Sequence, residues 1–172
     1  SKLSLLAETL IGSEIVKLGA DIREKIRQGQ KIYNFTVGDF DPSIFPIPKE
    51  LEEEIINAYR NHFTSYPAAE GNLDLREAIS SFLHKREKLD YGLSEILVAA
   101  GGRPLIYAVY RTLCDPGDKV IYAVPSWNNN HYSHFVGAEH IVIEASPENN
   151  FMPAVEDIRS HIKGATLLSL CS

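Results

Sequence analysis

The chain has 172 residues, 44% of them hydrophobic, enough for a domain of ordinary size with its own core. Seventeen basic residues against twenty-three acidic ones give a net charge of −6, and no cluster of Lys or Arg stands out, which argues against nucleic acid and membrane surfaces as partners. Two cysteines, Cys114 and Cys171, lie far apart without metal-site spacing and fit the incidental, reduced thiols of a cytoplasmic protein.

The N-terminal run "SKLSLLAETLIGSEIVKLGADIREKIRQGQ" carries apolar residues, but Glu8, Glu14, Lys17 and Asp21 interrupt them before any membrane-spanning length accumulates. It reads as an amphipathic helical stretch ending near Gln28-Gly29. "KIYNFTV" follows as a β-rich run that stops at Gly38, and "GDFDPSIFPIP" as a Pro-rich irregular segment. Pro48 suits the first turn of a helix. Glu50, Glu52, Glu53 and Glu54 lie early in that helix, where carboxylates oppose the positive end of its dipole. Leu51, Ile55 and Tyr59 form an i, i+4, i+8 stripe that is expected to pack on one side.

Pro67 and Gly71 break the pattern, and a second helix follows with Asn72 as its N-cap and Leu75, Ile79, Phe82 and Leu83 on one face. From Leu93 the rhythm changes. Ile96 to Ala100 reads as a short strand, Pro104 to Leu113 as a helix, "DPGD" as a turn and "KVIYAV" as a strand. A helical stretch from Asn130 to Phe135 closed by Gly137, the strand "HIVIE", a helix from Pro153 to Ile162 and the strand "TLLSL" complete the order. Strands alternating with helices of this length imply βαβ units, a mainly parallel sheet and right-handed crossovers, so the fold class is α/β. Thr166 to Leu170 is apolar throughout, as expected of a central strand covered on both faces. The sheet is therefore expected to be incomplete and the chain to be the N-terminal piece of a longer protein.

In a parallel α/β sheet ligands gather at the carboxyl ends of the strands. Gly101-Gly102-Arg103-Pro104 occupies such a place. Glycines admit close approach, a helix start offers unpaired N–H groups and positive dipole, and Arg103 adds a formal charge, a combination suited to phosphate. Taken alone it also reads as a structural corner, because Gly in turns and Pro at a helix start recur without ligands, and Pro104 removes one donor. Trp127, the only tryptophan, stands just past the strand "KVIYAV" beside Asn128, Asn129 and Asn130. A core role is the ordinary reading of a Trp; its place at a strand tip favours an aromatic face presented to a ligand ring. His131 and His134, three apart, lack a third metal ligand nearby, so a packing or solvated role is favoured and no metal site is assigned.

With these pieces in order the chain resembles the N-terminal part of a fold type I pyridoxal-phosphate (PLP) aminotransferase of class I/II, the group that includes aspartate and aromatic aminotransferases. The resemblance rests on "FTVGDFDPSIFPIPKEL", "SYPAAEGNLDLREAI", "ILVAAGGRPLIYAVYRTLCDPGDKVIYAVPSW" and "EDIRSHIKGATLLSLCS", in that order and spacing. It implies a three-layer large domain, begun over residues 49–172, with residues 1–48 contributing to the small domain. It implies PLP as cofactor, with Gly102, Arg103 and Pro104 on the phosphate loop, Trp127 stacked on the pyridine ring, and Tyr66 reaching across a homodimer interface to the neighbouring cofactor's phosphate. Gly38 matches the glycine near the substrate α-carboxylate. The expected activity exchanges an amino group between an amino acid and a 2-oxo acid. The family commonly has a small or polar residue and then Gln or Ala where Arg103 and Pro104 stand. The resemblance puts the Schiff-base lysine beyond Ser172, so no catalytic residue is assigned within the chain and the chain alone is expected to be inactive. A PLP-dependent lyase of the same fold, or a non-catalytic dimerisation module, are the alternatives.

Overall fold

The computed structural model describes residues 2–36 and 38–171. The chain divides into two compact units, Leu18–Ala100 in one and Ser1–Lys17 with Gly101–Ser172 in the other.

The N-terminal run forms two helices rather than one, α1 (Leu5–Glu8) and α2 (Glu14–Arg27). Thr9 closes α1, its N–H and its hydroxyl both reaching the Leu5 carbonyl, at 3.0 and 2.8 Å, and Gly12 adds backbone freedom just downstream. The strand expected at "KIYNFTV" is absent over residues 31–36, Val37 lying outside the described residues. Asn34 Oδ1 instead accepts both the N–H and the hydroxyl of Thr36, at 3.0 and 2.6 Å, a local turn that replaces an extended run.

In the Leu18–Ala100 unit, α3 (Lys49–Arg60) starts directly after Pro48, which serves as N-cap with φ −54°. Its Leu51, Ile55 and Tyr59 stripe remains 44–70% exposed, so the expected one-sided packing is not met within this chain. Helix α4 (Leu73–Glu87) follows the N-cap Asn72. Arg76 ties α4 to the segment beyond it, donating Nη1–H to the Leu93 carbonyl at 3.0 Å and Nε–H to the Gly71 carbonyl at 3.3 Å. The Ser80 hydroxyl adds a bond to the Tyr91 carbonyl at 2.7 Å. Gly71 is required where it stands: its φ is +100°, and a Cβ there would lie 2.6 Å from Val98 Cβ. Ile96–Ala100 is not a ladder strand, contrary to expectation; its one tie of that kind is Val98 N–H to the Glu70 carbonyl at 3.0 Å. A strand exists only when a neighbour pairs with it, and among the described residues none does here.

The other unit carries the sheet. Helix α5 (Gly102–Leu113), β1 (Lys119–Val124), α6 (Asn129–Val136), β2 (Glu139–Glu144), α7 (Val155–His161) and β3 (Ala165–Ser169) follow in order. The three strands are parallel in the order β2-β1-β3. The sheet's centre is thus β1, and the apolar "TLLSL" run, expected to be central, forms an edge of this sheet and is only half-buried. Its apolar residues are consistent with a neighbour on the open side, but the two strands in hand place it at the margin. Val120 and Ile121 are wholly buried, each contributing about 2 kcal/mol by the usual burial scale. Around Val120, Tyr110 of α5, Cys114 at its C-cap, Tyr122 of β1, Tyr132 and Val136 of α6, and Ala138 close one core cluster. Gly137, in the left-handed region at φ +70°, ends α6 and its N–H returns to the His134 and Ser133 carbonyls.

Candidate functional site

The order β2-β1-β3 makes the carboxyl end of β1 a switch point, since the chain leaves it for β2 on one side and returns through β3 on the other. Crevices at such points are where parallel sheets collect ligands. Pro125, Ser126, Trp127 and Asn128 leave β1 there, the Val124–Pro125 peptide being cis and Asn128 in the left-handed region at φ +62°. The turn is anchored from below by Asn129, which is buried to 5% exposure. Its Oδ1 accepts the Tyr110 hydroxyl at 3.0 Å and the Ser169 hydroxyl at 2.8 Å, and its Nδ2 donates to Ser126 Oγ at 3.1 Å. One side chain therefore joins α5, the tip of β3 and the Trp127 turn.

Helix α5 begins beside this turn. Gly101 precedes it at φ +103°, a conformation that glycine reaches without strain, and a Cβ at Gly101 or Gly102 would meet nothing within 4 Å. No side chain caps the helix and its first turn holds no acidic residue. The N–H groups of Gly102 and Arg103 are thus left for an anion, with the positive end of the dipole behind them. Pro104 offers none. The Arg103 guanidinium lies over the Trp127 ring, 5.8 Å from its centre. Arg103, Pro104 and Tyr107 of α5 face Asn128, His131, Tyr132 and Phe135 across a groove of about 380 Å³. Tyr107 and Phe135 meet edge to face at 6.0 Å in that groove.

Burial raises the pKa of Tyr110, so its hydroxyl stays protonated and a donor to Asn129 through the neutral range. Burial likewise raises Tyr122. The Tyr122 hydroxyl and Nδ1 of His140 share a hydrogen bond at 2.8 Å, and burial lowers the His140 pKa, with His134 adding a smaller repulsion. His131 and His134 each donate Nε2–H to a carbonyl of the N-terminal segment, Ile11 at 2.9 Å and Leu6 at 3.0 Å. Both rings are engaged in holding α1 and the turn after it on α6.

Of the residues singled out in the sequence, Gly102, Arg103, Pro104 and Trp127 come together in one unit. Gly38 and Tyr66 belong to the other, Gly38 in open space and Tyr66 wholly exposed. Asn129 went unselected among three successive asparagines, because nothing local distinguishes a buried Asn from its neighbours. Chemically, the pair of elements offers an anion seat on α5 and a flat aromatic face on Trp127.

The family model described as aminotransferase class I and II matches residues 30–171. An aspartate aminotransferase of Thermotoga maritima is 27% identical over 155 residues, 90% of this chain and 40% of that protein. A probable aspartate/prephenate aminotransferase of Rickettsia conorii is 30% identical over 167 residues, 95% of this chain and 37% of that protein. Among solved structures, the aspartate aminotransferase of Thermus thermophilus with maleate superposes with a TM-score of 0.88 at 28% identity, covering 99% of this chain and 44% of that one. The chain spans about two fifths of the length of the relatives it matches.

Proposed function

The chain belongs to the aminotransferase class I and II family, and on that premise we propose that it supplies the phosphate seat and ring-stacking face of a PLP-dependent aminotransferase. The observation that carries the reading is Arg103 lying over Trp127 at the switch point of the sheet. The residues fit the group. The open space over Gly101 and Gly102, the free N–H groups of α5 and the guanidinium suit a phosphate ester, and the partly exposed indole suits a planar, electron-poor ring. When bound, PLP supplies an electron sink for reactions at the substrate's α-carbon.

The chain's own residues bind and orient. Gly102 and Arg103 hold the phosphate, Trp127 fixes the tilt of the ring, and Asn129 keeps the Trp127 turn in register with α5. Two anchoring points leave the cofactor little rotational freedom, which is how a binding site lowers the entropic part of a barrier. Gly38 lies near the substrate carboxylate, and Tyr66, with no covering group in this chain, reaches the phosphate of a second subunit in a homodimer. Residues 1–48 contribute to the small domain and 49–172 begin the large one. The substrates are an amino acid and a 2-oxo acid. Free thiols at Cys114 and Cys171 suit a cytoplasmic setting.

The test uses the full-length protein containing this chain, with isotopically labelled amino-acid donors and a 2-oxo acid acceptor, followed by mass spectrometry. Label appearing on the acceptor supports the proposal; loss of the donor's side-chain group without transfer would point to a lyase instead. In the 172-residue chain by itself, borohydride reduction after adding PLP is expected to modify no single lysine stoichiometrically. A unique, complete adduct would contradict the position assigned to the covalent lysine.

A further inference from the structure

Arg103 stands in the uncapped first turn of α5, and its environment gives it a further use. Pro104 deprives the first turn of α5 of a donor. Arg103, directly before it, carries a planar fork of donors on an exposed side chain and rests it on the ring of the only tryptophan. A guanidinium can lie over an indole and can also grip a phosphate bidentately through its edge, but while it stays over the indole face that face cannot receive a cofactor ring. At an exposed ring the stacking interaction is the weaker of the two, so a phosphate ester arriving at α5 draws the guanidinium off the indole.

Resting on the PLP reading above, we infer that Arg103 is an exchangeable cover on Trp127: it stacks on the indole in the cofactor-free chain and moves to the phosphate of the incoming cofactor. Recognition of the phosphate and exposure of the stacking face are then one event. The arrangement favours phosphorylated over unphosphorylated rings twice, through a bond gained and through a guanidinium that the phosphate draws off the indole face.

Pyridoxine 5′-phosphate and pyridoxine carry the ring without the reactive aldehyde and serve as probes. Each is titrated into the full chain and into Arg103→Gln and Arg103→Lys, with Trp127 emission as the readout. The phosphorylated probe is expected to bind Arg103→Gln about tenfold or more weakly, as for loss of a charge-assisted hydrogen bond. Arg103→Lys, which keeps the charge but not the fork, falls between. Pyridoxine is expected to bind Arg103→Gln at least as tightly as the parent, because no guanidinium has to leave the ring. Inorganic phosphate alone shifts the emission of the parent and leaves that of Arg103→Gln unchanged. Equal affinity of parent and Arg103→Gln for the phosphorylated probe, or an equal loss for both probes, overturns the exchange while the cofactor reading stands. If neither probe alters Trp127 emission in any of the three proteins, the cofactor reading fails and the exchange with it.

Discussion

Replacing Asn129 by alanine should destabilise the sheet-bearing unit by about 2–3 kcal/mol. The figure is built from three bonds. The Tyr110 hydroxyl, on a residue 2% exposed, loses the amide acceptor at 3.0 Å and is left with the neighbouring Ser133 and Ser169 hydroxyls, a penalty of about 1–3 kcal/mol. Ser169 and Ser126 are only partly buried and turn to water, adding a few tenths each by the same scale. Tyr110→Phe removes the donor yet keeps the ring, whose centre lies 5.4 Å from that of Tyr132, and should lose only about 1 kcal/mol. Once the hydroxyl is absent, Asn129→Ala strands nothing, so the double variant should fall short of the sum by about 1 kcal/mol. Urea unfolding followed by circular dichroism and by Trp127 emission measures all four proteins. Asn129→Ala should also shift native emission to the red, since Ser126 no longer anchors the turn. A coupling indistinguishable from zero, or a loss under about 0.5 kcal/mol for Asn129→Ala, would refute the role given to this side chain.

Tyr110 and Tyr122 have pKa values raised by burial from the ordinary 10.0, so the folded state keeps both protonated after the unfolded chain begins to ionise. Their contribution is full below that value and declines as pH rises through the folded pKa; urea midpoints should drop on the alkaline side, less steeply in Tyr110→Phe. His140 is lowered from 6.5, so its contribution is present above that value and lost as pH falls through the folded pKa. An NMR titration should place its midpoint below 6.5. Gly101→Ala meets only backbone strain, about 1–3 kcal/mol, whereas Gly71→Ala adds a collision with Val98 and should lose more. Val98→Ala should fail to rescue Gly71→Ala, because the nearest contact at 2.6 Å is Cβ itself, while Val98→Gly should rescue part of it; melting curves of the four variants decide.

The α/β alternation from Pro104 to Ser169 was legible because each signal there is local. Gly137 closes α6, "DPGD" turns the chain between α5 and β1, and the apolar run "KVIYAV" is as buried as its composition requires. The start of α5 was likewise readable, since two glycines and a proline mark a helix start without neighbours. Where expectation failed, the deciding interaction was with something distant or with a competing local bond. Residues 31–36 and 96–100 have β-rich composition, but composition supplies no partner, and a run of extended residues becomes a strand only through one. The N-terminal stretch divides between Glu8 and Glu14, a gap that apolar periodicity does not register.

By itself the sequence determined the family and the order of elements from α5 to β3, because these depend on spacing along the chain. Only the tertiary structure decided that β1 is central, that Asn129 rather than Asn128 or Asn130 is the buried tie, and that Arg103 rests on Trp127. Burial and stacking are properties of neighbours brought together by the fold, 24 positions apart for Arg103 and Trp127 and 40 for Asn129 and Ser169, and no local pattern encodes which of several like residues will be chosen.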